Sequence, residues 1–98
     1  MSRSLRFHPA AQRELDEAAA YYEAESPGLG NAFVDGLEHV LGQVLAFPEA
    51  APFAREPVRV RVLIVFPYSL HYSVIGEVVL VLSLAHHSRR PFYWRERQ

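Results

Sequence analysis

The sequence predicts an α+β domain in the order β-α-α-β-β-β, a helical hairpin packed on a small antiparallel meander sheet. Three observations predict it. Apolar residues recur at helical spacing between residues 11 and 44, and at a period of two from residue 58 onward. Residues 48–57 hold three prolines and separate the two regimes. The chain has 98 residues, half of them hydrophobic, which is enough for one core and one domain over 1–98.

Residues 3–7, R-S-L-R-F, are a short strand candidate. Pro9 follows at a first helical position, where its missing N–H costs nothing. Ala11, Leu15, Ala18, Ala19 and Tyr22 line one face of a first helix, with Glu14, Asp16, Glu17, Glu23 and Glu25 mostly elsewhere. Ser26-Pro27-Gly28 breaks it, and Ser26 is expected to cap a second helix with Pro27 at its first position. Phe33, Leu37, Val40, Leu41 and Val44 form the second stripe, which stops at Phe47-Pro48 because a residue before proline leaves helical geometry. So short a connection implies an antiparallel hairpin.

Residues 48–57 are expected to be a loop. Val58, Val60 and Val62 then alternate with Arg59 and Arg61, as in a half-buried strand. Pro67-Tyr68 marks a turn. Leu70, Tyr72 and Val74 alternate with Ser69, His71 and Ser73, and Gly76-Glu77 is a second tight turn. Residues 78–84 are nearly all apolar, as expected of a central strand covered on both faces. One face of this sheet supplies the surface that the hairpin's stripe needs.

Composition narrows the function. There is no cysteine, so disulfide and thiolate chemistry are excluded. There is no lysine either, so all ten basic residues are arginine and none of them can serve as a lysine-type general base. A GC-rich genome accounts for that bias as readily as phosphate recognition does. The first residues lack the apolar stretch of a signal peptide, and no apolar run reaches membrane-span length. A cytoplasmic protein with no membrane association is expected. The net charge of −1 hides an asymmetry. Residues 1–49 carry three arginines against eight acids, and residues 50–98 carry seven against three. The basic half points to a nucleic-acid or acidic-protein partner, while the near-neutral total argues against a duplex binder driven by bulk charge.

The densest chemistry is in residues 85–97, A-H-H-S-R-R-P-F-Y-W-R-E-R. Arginine, histidine and aromatic side chains together can hold a phosphate, stack on a base and move a proton. Equally, they can be a solvated tail with an aromatic anchor, and anchoring is the favoured role for Trp94. Arg59 and Arg61 share one strand face and can clamp an anion, or simply be exposed charges. A meander is expected to bring them near His86, His87, Arg89 and Arg90. Adjacent histidines point apart, so no metal site is expected, and no nucleotide-cofactor fingerprint is present.

Four segments in order, F-H-P-A-A-Q-R-E-L-D-E-A-A-A-Y-Y-E (7–23), S-P-G-L-G-N-A-F (26–33), F-P-Y-S-L-H-Y-S-V (66–74) and the H-x-x-R-x-P-x-Y-W ending at Trp94, carry a resemblance. The chain resembles the RelE/ParE superfamily of toxins from bacterial type II toxin–antitoxin modules, and is most similar to its ParE-like, plasmid-stabilisation branch. The resemblance implies the hairpin-on-sheet fold and a cognate antitoxin encoded by an adjacent gene. The antitoxin lays helix or strand on apolar grooves in a heteromeric complex, and the acidic first half would face its basic residues. Growth inhibition by binding DNA gyrase is the leading expectation. The alternatives are a ribosome-dependent mRNA endoribonuclease and a degenerate, non-toxic member. As a nuclease, the chain would use His87 and Tyr93 for proton transfer, with Arg59, Arg61, Arg89 and Arg90 holding target or phosphate and no cofactor. Ser69 departs from that pattern, because nucleases of the superfamily often place an arginine after the turn tyrosine.

Overall fold

The helical half of the chain folds as α1 (Pro9–Glu25) and α2 (Leu29–Ala46), preceded by a short strand β1 (Ser4–Phe7). The structure is a computed structural model that describes residues 3–97, so residues 1, 2 and 98 of the expected 1–98 domain lie outside it. Pro9 opens α1 as expected, and the His8 ring caps it by accepting from the Ala10 amide at 3.1 Å.

The start of α2 differs from expectation. Ser26 closes α1, its N–H bonded to the Tyr22 carbonyl, and Gly28 precedes α2 with φ 89°. The cap comes from one turn back on α1. The Glu23 carboxylate accepts from the Gly28 amide at 3.0 and 3.1 Å and from the Gly30 amide at 3.1 Å. A carboxylate satisfies these orphan amides and also faces the positive end of the α2 dipole, which a serine hydroxyl cannot match. The contact demands close approach: a Cβ on Gly30 would lie 2.7 Å from the Ala19 carbonyl oxygen.

The period-two half forms β3 (Val58–Val62), β4 (Tyr68–Ile75) and β5 (Val78–His86) as an antiparallel meander. Two strands extend it. β1 pairs parallel with β5, and β2 (Phe53–Arg55) pairs antiparallel with β3, giving the order β1-β5-β4-β3-β2. β2 lies inside the segment expected to be a loop. Three residues between prolines show no alternation, and short, proline-flanked strands are typical of sheet edges.

The hairpin covers one face of the sheet. Phe33, Leu37, Val40 and Val44 of α2 pack with Leu70, Tyr72, Val79, Val81 and Leu84 in the main core. Each such side chain contributes about 1.5–3 kcal/mol when fully buried. Tyr72 keeps its hydroxyl satisfied by donating to the Pro48 carbonyl at 2.6 Å. A smaller cluster of Val58, Leu82 and Trp94 closes the other face. Among the described residues no helix is long and apolar enough to cross a membrane.

The alternation in β3 has a different sense from the one expected. Residues paired across strands share a face. Arg59 pairs with Tyr72 and Arg61 with Leu70, so both arginines project to the helix side. Val58 is buried on the opposite face, and Val62 is exposed.

Candidate functional site

Residues 87–97 leave β5 in a series of turns that cross the open face of the sheet and return to α1. β1 pairs only with residues 78–81, so the rest of β5 lacks a neighbour on that side. Side chains supply what a strand would. The Leu84 amide donates to Glu14 Oε1 at 3.0 Å, and the Leu82 carbonyl accepts from Arg97 at 3.0 Å. Arg97 also grips Glu14 with two bonds, at 2.8 and 3.0 Å. Tyr93 donates its hydroxyl to Glu14 Oε2 at 2.7 Å, and Arg89 stands 3.9 Å away. The strap and the sheet edge thus meet at one carboxylate.

Burial pushes the Glu14 pKa up, but the hydrogen bonds from Arg97, Tyr93 and the Leu84 amide outweigh it and hold the group below its ordinary value. Burial, with the bond to Glu14 second, drives Tyr93 up to about 12. Its hydroxyl stays protonated at neutral pH and is already committed to Glu14.

A cavity of about 410 Å³ lies between the sheet and these turns, lined by His71, His86, His87, Arg89, Arg90 and Tyr93 among others. His71 forms its floor. The ring stacks on Trp94 with centroids 4.8 Å apart, and Nδ1 bonds the Ser83 hydroxyl at 2.8 Å. Burial lowers its pKa to about 4, so the ring is neutral at neutral pH. Phe92 takes a left-handed backbone, φ 59°, which costs about 1–2 kcal/mol, and lies under the Arg55 guanidinium at 4.3 Å. Trp94 is 2% exposed, an anchor as expected.

The structure brings some of the sequence-selected residues together and separates others. His87, Arg89, Arg90 and Tyr93 line one cavity. His86 is half-buried against the Tyr68 ring on the helix side, and His87 is exposed. Arg59 and Arg61 do not join them. Arg59 donates to the Glu49 and Ala51 carbonyls and stacks over Phe53. Arg61 lies beside Glu38, His39 and Gln43 of α2. The face parity of β3 is the physical cause: its valines, not its arginines, point toward the strap.

Two residues escaped the sequence reading. Glu14 had a legible signal, since it lies three residues after Ala11 and four before Ala18, inside the buried stripe of α1. His71 had only its parity with Ser69 and Ser73, which marked it as polar-facing while Trp94 covers it.

A mixed sheet carrying a helical hairpin on one face and a cationic C-terminal strap on the other defines a small two-layer α+β domain. The chain matches the family described as "ParE toxin of type II toxin-antitoxin system, parDE" over residues 5–91, and it belongs to that family. Its fold is similar to a chain of a solved structure titled "Chromosomal ParDE TA system from P. aeruginosa", with a TM-score of 0.63 at 21% identity, covering 87% of this chain and 96% of that one. No curated protein sequence matches the chain.

Proposed function

We propose that this chain is the growth-inhibiting half of its module, silenced by a cognate antitoxin and acting by binding DNA gyrase rather than by cutting RNA. One observation carries the preference for binding: the groups that cleavage needs are not assembled. Tyr93 is locked to Glu14 with its pKa near 12, and Arg59 and Arg61 occupy the opposite face from His87. General acid–base catalysis needs groups within reach of one substrate position and poised near the working pH. The test is direct. The purified chain should inhibit supercoiling by gyrase and leave messenger RNA intact in a translating extract. Cleaved message with normal supercoiling would reverse the assignment. The ribonuclease alternative keeps one observation in its favour, the shared cavity of His87, Arg89 and Tyr93.

The antitoxin's docking surface is the groove between α2 and the β3–β4 loop. It holds about 360 Å³ and is lined by Leu29, Ala32, Gly36, Val40, Leu63 and Phe66. Ile64 and Val65 stand 85% and 82% exposed at its wall. Small residues at 32 and 36 leave room for an amphipathic helix to lie close, with its apolar anchors against this wall. A partner from the same module fits because the family pairs each toxin with an antitoxin.

A further inference from the structure

The cavity under the C-terminal strap lies on the face opposite that groove. Its lining carries Arg89, Arg90 and the exposed His87 and no carboxylate, while His71 on its floor is neutral. Arg55 adds a guanidinium beside it, held over Phe92. Glu14 lies outside the lining and is bonded chiefly to Arg97, Tyr93 and the Leu84 amide, with Arg89 at 3.9 Å, so it offsets Arg89 in part and leaves Arg90 without a counter-charge. Like charges gathered on one concave wall repel until an anion joins them.

The cations are not equally engaged. Arg89 rests on the Tyr93 ring at 3.9 Å and leans toward Glu14. Arg90 makes no ion pair among the described residues, and both Arg90 and His87 are exposed. These two are placed to take a ligand without breaking the strap. The aromatic rings, in contrast, are already partnered. Arg89 and Arg97 flank Tyr93, Arg55 covers Phe92, and His71 stacks on the buried Trp94. Single-stranded nucleic acid gains much of its affinity from bases stacked on free aromatic faces, and here each ring already carries a partner on at least one side. Its size suits a small ligand.

We propose that the cavity binds a small phosphate monoester, held by Arg90 and His87 at the rim with Arg89 alongside, and reads no base. The binding is independent of the gyrase reading and involves no bond-making step. It would give the toxin a second ligand site on the face that the α2 groove does not use.

Amide-resolved NMR titration of the full chain tests it, using inorganic phosphate, glycerol 3-phosphate and a single-stranded hexanucleotide at constant ionic strength. Saturable shifts confined to residues 85–94 are expected for the two small phosphates. Arg90→Ala and His87→Ala should each weaken binding about tenfold, the effect of losing one charge-assisted contact. Arg90→Lys should retain part of it, and Arg13→Ala on the exposed face of α1 should change nothing. Dispersed spectra of the variants establish that they fold. No saturation by about 10 mM phosphate, saturation by the hexanucleotide alone, or affinity unchanged in both alanine variants would each overturn the proposal.

Discussion

On one face of the sheet, two helices press a stripe of Phe33, Leu37, Val40 and Val44 onto Leu70, Tyr72 and Val81. On the other, a single tryptophan joins Val58 and Leu82, and a network around Glu14 ties the strap down. The first face is closed by apolar area, which is non-directional and spread over many side chains. The second depends on a few specific partners, so single substitutions there have large consequences. The exposed surfaces differ in the same way. The helix side ends in an apolar groove with bare Ile64 and Val65, and the strap side in a cationic cavity.

The largest expected effect breaks the strap face outright. Trp94→Ala should cost about 3–5 kcal/mol in urea unfolding, because no other large side chain of the strap enters that cluster fully. A loss under about 1 kcal/mol would mean the strap is an ornament and not a second core. Next, Glu14→Ala should cost about 2–3 kcal/mol by leaving Arg97 without its counter-charge and Leu84 without its acceptor. Hydrogen exchange at the Leu84 amide should rise with it, while the amides of α2 stay protected until global unfolding.

A third change sharpens the contrast from the helix side. Ile64→Asp together with Val65→Asp should weaken antitoxin binding by about tenfold or more, measured by calorimetry. Stability should move by no more than about 0.5 kcal/mol, since both side chains already face water. Unchanged binding would place the antitoxin elsewhere.

The last contrast is a slope with pH. His71 titrates near 4 in the fold against an ordinary 6.5. The unfolded chain therefore binds more protons between those values, and stability falls as the pH drops from 6.5 to 4. His71→Phe should flatten that part of the melting-temperature profile. Glu14 acts lower. Its folded pKa lies below the ordinary 4.5, so its contribution is complete above 4.5 and is lost as the pH falls through the folded value. Glu14→Gln should flatten that lower limb and, by removing a nearby negative charge, move the His71 limb slightly lower rather than abolish it.

Much of this was legible in the chain itself. Helical spacing through Phe33, Leu37 and Val44 and alternation through Leu70 and Tyr72 depend on neighbours in sequence, so the elements and their buried faces could be read locally. So could the anchoring of Trp94. The cap on α2 could not, because its acceptor is on Glu23 of the preceding helix and not on Ser26. Nor could β2, which exists only because β3 offers an unpaired edge.

The candidate site divides the same way. Residues 85–97 announced their chemistry by composition, but which groups are free was decided by partners far off in sequence. Glu14 reaches Tyr93 across 79 positions and Arg97 across 83. The side to which Arg59 and Arg61 project was set by pairing with Tyr72 and Leu70. Sequence by itself determined the two helices, β1 and the meander strands, the core stripes and the cationic end, since these follow from local periodicity and residue type. Only the tertiary structure decided which face each strand turns to the helices, which rings and charges are already engaged, and which remain for a ligand. Long-range pairing sets those outcomes, and a period of two is silent about which of its two faces is which.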